Sequence, residues 1–437
     1  MKTKVLVVIL VIVFFDVLPV LTWSQPTLAA NFAIFNKQKS CSTLINPLIQ
    51  DKRAAFFYGS LWQTSGMDIG QSVVVDRNTY VYTIGTSAPE ESGSNLVLVK
   101  WDDQGNQLWN RSWGGSEAAN GEGIAINDEG SIYTVGSKVT LGSDSGTDLV
   151  LVKWDTEGYQ LWNQTWDGSP YDLGLNLAID TDGSIYTVGS IETVTGSDLL
   201  LVKWNAEGHQ LWNQSWDVAL FDAGWDLAID TDGSIYTVGS MGNSDMMLVK
   251  WNTTGTQIWN RTWDYCFGHG IAISNTNDIY TVGARGHGSY DLVVVKWNTT
   301  GTQIWNRTLD NCLGSDVAVS DTNYIYTVGT RDYPTSPHLV LVKWDATGKF
   351  LGIKTWETSS QGFGVSVDTN ENIYCVGYSM ETSVTDKDLL LVVFTPYGFT
   401  SDLSTKITPG LAIPVLIIST FLFLVIIRKR RKTENQS

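Results

Sequence analysis

Asp198-Leu-Leu-Leu-Val-Lys-Trp204 leads into the turn Asn205-Ala-Glu-Gly208 and then into Gln210-Leu-Trp-Asn-Gln-Ser-Trp216. The first phrase returns at Asp148–Trp154, Asp245–Trp251 and Asp291–Trp297, with weaker copies at Asn95–Trp101, His338–Trp344 and Asp388–Phe394. Its closing aromatic residue recurs every 46 to 53 residues, the shortest step running from Trp251 to Trp297 and the longest from Trp101 to Trp154. Self-similarity of that length, carried by short strands, marks a propeller blade.

The copy from Leu175 to Trp216 shows the unit. Asn176-Leu-Ala-Ile-Asp180 reads as a short strand, and Asp180-Thr-Asp-Gly183 as a turn whose glycine takes positive φ. Ser184-Ile-Tyr-Thr-Val-Gly189 is a second strand, Leu199–Trp204 a third, and Gln210–Trp216 a fourth after a tight turn. Four antiparallel strands make one blade. Six copies are complete from near Ile69, while the seventh, starting at Phe363, lacks its Leu-Trp-Asn strand. Tyr58-Gly-Ser-Leu-Trp-Gln-Thr-Ser65 matches the missing piece. The expected fold is all-β, a seven-bladed β-propeller over residues 57–398 closed by this N-terminal strand, which leaves no open ring edge. In an alternative closure residues 399–405 form the last strand and 58–65 only a flap.

The runs Leu227-Ala-Ile-Asp230, Gly233-Ser-Ile-Tyr-Thr-Val-Gly239, Met246-Met-Leu-Val-Lys250 and Gln257-Ile-Trp259 resemble the β-propeller repeats called SBBP. The resemblance covers about residues 57–394. It implies a secreted or surface-attached propeller and no shared catalytic residue. The chain departs in placing Trp where such repeats often have Leu after the Lys, a matter of packing.

The two ends read as targeting segments. Residues 1–30 carry Lys2 and Lys4, an apolar run from Val5 to about Leu21, and small residues at Ala29–Ala30, the pattern of a signal peptide. Asp16 makes this run a poor permanent span, although an uncleaved anchor stays open. Residues 31–56 form a linker. Gly410–Ile427 is uncharged and is followed at once by Arg428-Lys-Arg-Arg-Lys432, so residues 410–427 are expected to cross a membrane, with 399–409 leading in and the basic tail 428–437 cytoplasmic. The chain is therefore expected at the cell membrane, single-pass, with its N-terminal ectodomain outside. A formal net charge of −17 argues against nucleic acid as a partner.

Few residues suggest chemistry. Most tryptophans recur at fixed blade positions and read as packing between blades, whereas Trp225 falls off the pattern and is a candidate ligand contact. Asp172, Asp222 and Asp316, with Asp226 nearby, stand where inner strands begin and could ring the channel. The Asp-x-Asp-Gly turns at Asp180–Gly183 and Asp230–Gly233 lack the further acidic ligands of a calcium loop, so no cofactor is expected, calcium being the one considered. His269 and His287 flank one copy and could make a metal pair. Cys266 and Cys312 hold equivalent places in neighbouring repeats and are a candidate disulfide. With Cys41 and Cys375 they are too few for a disulfide scaffold. Asn110, Asn163, Asn213, Asn260 and Asn306 open Asn-x-Ser/Thr sequons on the fourth strand, and Asn252 and Asn298 do so in the preceding turn.

No catalytic motif is present. The loops Thr86–Ser94, Lys138–Thr147 and Met241–Ser244 differ between copies and share one face, while the other face has uniform turns. Variable loops on a constant scaffold are where recognition usually resides. The expectation is a membrane-anchored extracellular binding or adhesion module for protein or glycan, its variable face outward. A structural cell-envelope component is second, and a propeller enzyme (lyase or glycosidase) third.

Overall fold

Ile185-Tyr-Thr-Val-Gly189 is rich in β-branched and aromatic residues, which suit a pleated, packed surface. In a computed structural model this segment is the second strand of a four-stranded antiparallel sheet. The structure describes residues 57–396, apart from 90–92, 116, 141–145, 243–244, 287–289, 357–358 and 381–386. The signal (1–30), linker (31–56), juxtamembrane segment (399–409), membrane helix (410–427) and tail (428–437) read from the sequence lie outside the described residues, as do Cys41 and His287. Among the described residues no helix is long and apolar enough to cross a membrane.

Blade three runs Asp172–Ile179, Ile185–Glu192, Ser197–Trp204 and Gln210–Trp216, paired in that order. Seven such sheets follow one another. The last is composite: Ser360–Val367, Ile373–Ser379 and Asp388–Phe394 pair in sequence, and Phe57–Trp62 adds outside them with Phe57 opposite Phe394 and Trp62 opposite Leu389. The N-terminal strand therefore closes the ring. It ends at Trp62 rather than Ser65, because Thr64 N donates to Asp68 Oδ2 at 2.5 Å and turns the chain into blade one.

First strands line the axis. They are Met67–Val75, Ala119–Ile126, Asp172–Ile179, Asp222–Ile229, Cys266–Ile273, Cys312–Val319 and Ser360–Val367, and each touches its counterparts before and after, the seventh returning to the first. Glycine permits this approach: a Cβ on Gly174 would lie 2.6 Å from Val135 Cγ2 of the preceding blade. Second and third strands are buried between blades, with Tyr82, Tyr133, Tyr186, Tyr236, Tyr280, Tyr326 and Tyr374 fully enclosed. The tryptophan ending the third strand of blades one to six is also buried, and its indole N–H meets a threonine of the second strand (Trp204 Nε1 to Thr187 Oγ1, 3.0 Å). Packing thus accounts for the repeated Trp.

Fourth strands form the rim. Arg111, Arg261 and Arg307 reach from them to the next blade's tight turn, donating through Nε to Gly158 O, Gly301 O and Gly348 O. Both sets of tight turns on this face carry glycines in left-handed backbone, as the sequence implies (Gly183 φ 82°, Gly208 φ 84°). On the opposite face the strands of blade two pair beyond Lys138, Val139 with Thr147 and Thr140 with Gly146.

Candidate functional site: the axial ring

Every first strand is interrupted by a β-bulge at the same place, between Gly70 and Ser72, Gly121 and Gly123, Gly174 and Asn176, Gly224 and Asp226, Gly268 and Gly270, Gly314 and Asp316, and Gly362 and Gly364. An innermost strand has no sheet partner on its axial side, so a bulge there re-aims side chains and frees backbone groups toward the channel. The extra residues are Gln71, Glu122, Leu175, Trp225, His269, Ser315 and Phe363. All seven differ, in a repeat whose second strand hardly changes. Diversity is concentrated where the blades converge.

Adjacent members of this ring interact. The Trp225 and His269 rings meet edge to face with centroids 6.0 Å apart, and Trp225, 41% exposed, donates its indole N–H to Ser240 Oγ at 3.0 Å. His269 Nδ1 lies 2.7 Å from Gly314 O of the next blade. A carbonyl only accepts, so Nδ1 carries the proton and Nε2 keeps its lone pair. Burial holds the His269 pKa below the usual 6.5, opposed by the bond to Gly314 O. The ring is thus a neutral acceptor at physiological pH. Across the axis on blade two, burial pushes the Glu122 carboxyl up to about 7.

Behind the bulge stand Asp226 and Asp316. Asp226 Oδ1 accepts from Asn176 Nδ2 (2.6 Å) and Leu227 N (2.7 Å), and Oδ2 from Ile271 N of the next blade (2.8 Å). Asp316 accepts from Val317 N (2.7 Å) and from Val365 N of blade seven (2.8 Å). Inner-edge amides have no strand to pair with, and these carboxylates satisfy them from one blade to the next. Gly270 separates the two acids, since a Cβ there would come within 2.8 Å of Asp316 Cα. Burial raises the Asp226 pKa well above its ordinary value, with the charge of Asp316 adding to it, and burial pushes Asp316 up to about 7. The backbone donors oppose both shifts. This pair favours holding a proton near neutrality.

Asp172 and Asp222 do not ring the channel, which corrects the reading from sequence. Both are fully buried. Asp172 Oδ2 accepts from Gly168 N and Ser169 N (2.7 and 2.8 Å), and Asp222 Oδ2 from Val218 N and Ala219 N (2.7 and 2.9 Å). Each closes the loop leading into its blade. Where that loop shortens to Asp264-Tyr265 or Asp310-Asn311, the position becomes Cys266 or Cys312. The candidate disulfide is also corrected: both thiols are free and buried, in separate inter-blade clusters around Tyr236 and Tyr280. Burial pushes Cys266 up to about 12 and Cys312 up to about 11.

The Asp-x-Asp-Gly turns show turn chemistry: Asp230 Oδ1 accepts from Asp232 N and Ser234 N, and Oδ2 from Tyr236 Oη. Acidic ligands converge elsewhere, where Asp148, Asp167 and Asp172 bring one carboxylate oxygen each within 4.8 Å of one another. That donor set suits a hard divalent cation, although Asp172 already serves its loop. Asn110, Asn163, Asn213, Asn260 and Asn306 are exposed on the rim. Asn252 and Asn298 are half-buried, and each side-chain oxygen holds its own turn (Thr254 N and Thr256 N at 3.0 and 2.9 Å from Asn252 Oδ1; Thr300 N and Thr302 N at 3.1 and 2.8 Å from Asn298 Oδ1).

Glu122, and the bulge ring as a set, escaped the sequence reading. The signal was one hypervariable residue after a constant glycine, visible only when the seven copies are stacked.

No family model matches the chain. It is 27% identical over 130 residues to the regulatory protein FlaEY of Caulobacter vibrioides, an alignment spanning 27% of this chain and 13% of that protein. Among solved structures it is similar to a streptogramin B lyase (10% identity, TM-score 0.49, 77% of this chain and 97% of that one). It is similar also to the polysaccharide lyase Uly1 (10% identity, TM-score 0.47, covering 82% and 95%) and to the Neurospora crassa Pan2 WD40 domain (10%, 0.49, covering 75% and 89%).

Proposed function

We propose that this chain is a binding and adhesion module, anchored in the cell membrane through residues 410–427 and displaying its propeller outside, which seats protein or glycan at the axial mouth of the variable face. The carrying observation is the concentration of repeat-to-repeat diversity at Gln71, Glu122, Leu175, Trp225, His269, Ser315 and Phe363, on strands that otherwise repeat. A purely structural ring would keep one residue there, as the second strands keep their tyrosine. An exposed indole beside an imidazole, with carboxyl, amide and hydroxyl groups round the same ring, suits a saccharide: apolar sugar faces stack on the aromatic edge while hydroxyls find donors and acceptors. The exposed asparagines of the rim support use as glycan acceptors.

The test uses full-length protein in detergent micelles on glycan and peptide arrays, beside Trp225→Leu. Selective binding lost in the variant supports the reading. Absence of selective binding, or binding untouched by Trp225→Leu, overturns it.

A further inference from the structure

We infer a second, independent binding site on the rim between blades four and five, for a saccharide bearing a carboxylate. A cleft of about 470 Å³ opens there, lined by Trp263, Asp264, Tyr265, Arg285, Trp297 and Gln303 among others. The loop here is shorter than its counterparts in blades two and three. Trp166 and Trp216, which end the fourth strands of blades two and three, are buried beside the longer loops Asp167–Tyr171 and Asp217–Phe221. Gly168 lies directly on the first of these rings, where a Cβ would be 2.2 Å from Trp166 Cη2. At blade four only Asp264-Tyr265 precede Cys266, and Trp263 is left half-buried, edge to face with Trp297 at 6.2 Å.

The shortened loop also presents Tyr265. This residue sits in left-handed backbone (φ 57°), an unusual state for a residue with a Cβ, and its side chain is 63% exposed. Asn311 holds the same place and the same φ of 57° one blade on. Asparagine tolerates that conformation far better than tyrosine, so the ring in blade five stands against local backbone preference.

Charge names the ligand. The corresponding residues of blades two and six have acidic neighbours, Lys138 pairing with Glu117 at 2.6 Å and Arg331 with Asp332 at 3.8 Å. The Arg285 side chain is exposed and, among the described residues, has no ion pair or hydrogen bond, the acidic Asp264 of the same lining included. An unpaired guanidinium in a chain of net charge −17, beside two aromatic rings, fits a sugar carboxylate by a charge-assisted fork. Trp263 and Tyr265 would take the sugar faces, and Asp264 and Gln303 its hydroxyls.

The inference does not rest on the axial site. Its test titrates full-length protein in detergent micelles with a glucuronyl-glucose disaccharide and with neutral cellobiose, read by saturation-transfer NMR and calorimetry. Two variants borrow residues the fold already accepts at the equivalent places, Arg285→Met after Met241 and Tyr265→Asn after Asn311. Tighter binding of the acidic disaccharide is expected, weakened about tenfold or more by Arg285→Met while the neutral sugar is unmoved, and weakened for both sugars by Tyr265→Asn. Equal affinity for the two sugars, absence of binding, or indifference to Arg285→Met overturns the site. Binding lost in Trp225→Leu but kept in Arg285→Met assigns the sugar to the axis and likewise overturns the rim site.

Discussion

Trp297 Nε1 donates to Thr281 Oγ1 at 3.0 Å, wholly within the core of blade five. Five other blades repeat the bond, and blade seven drops both partners together, with Phe394 for the tryptophan and Cys375 for the threonine. A buried indole N–H without an acceptor is costly, whereas losing donor and acceptor together is nearly neutral. Thr281→Val should therefore lower stability by about 1–3 kcal/mol. Adding Trp297→Phe should cost less than the sum of the two single changes, measured as a double-mutant cycle by denaturant unfolding. Strict additivity would sink the account.

Asp172 caps the loop that leads into its own blade. Replacing it with Ala strands the amides of Gly168 and Ser169, at a cost of about 2 kcal/mol in stability. Binding at the axial mouth should survive in the variant that remains folded. Loss of affinity with unchanged melting temperature would return Asp172 to the site.

The ring should impose a pH dependence on stability. Glu122, with its pKa raised to about 7 in the folded chain, keeps a proton that the unfolded chain releases above about 4.5. Stability from this group is thus present below about pH 4.5 and lost as pH rises toward 7. His269 acts oppositely: its pKa is lowered below 6.5, so its contribution is present above that value and lost as pH falls. Glu122→Gln should raise the melting temperature near pH 8 relative to wild type and leave it alone near pH 4, and His269→Asn should flatten the acid side. The same gain for Glu122→Gln at both pH values would refute the assignment.

The thiols of Cys266, Cys312 and Cys375 are buried, and burial raises each pKa. They should resist a water-soluble thiol reagent until the protein unfolds, and the melting temperature should be the same with and without reductant. A drop on reduction would restore the Cys266–Cys312 bridge.

Glycan occupancy should divide the sequons. Expressed in a host that N-glycosylates secreted chains, Asn110, Asn163, Asn213, Asn260 and Asn306 should be modified, while Asn252 and Asn298, whose side chains hold turns, should be mostly bare. Peptide mass spectrometry after enzymatic deglycosylation in oxygen-18 water reads each site. Equal occupancy in both sets would show that the turns open before the glycan is added.

Strands, turns and blade count follow from the sequence because they depend on local periodicity, on glycines at fixed offsets, and on a phrase repeated often enough to reveal its missing copy. Even the closing strand was legible, since Gly59-Ser-Leu-Trp62 carries the outer-strand pattern at the wrong end of the chain. The site was legible only in part. Trp225, Asp226 and Asp316 could be named, but Asp172 and Asp222 looked identical to them in the one-dimensional pattern. A β-bulge separates the two kinds of aspartate: before it the side chain folds under its own loop, after it the carboxylate ties inner-edge amides of neighbouring blades. Likewise nothing local announces that Asp264-Tyr265 is too short to cover Trp263, because the ring it fails to cover stacks on another blade. Tertiary structure decides such matters, since burial and charge pairing depend on what neighbouring blades bring and no single repeat contains its neighbour.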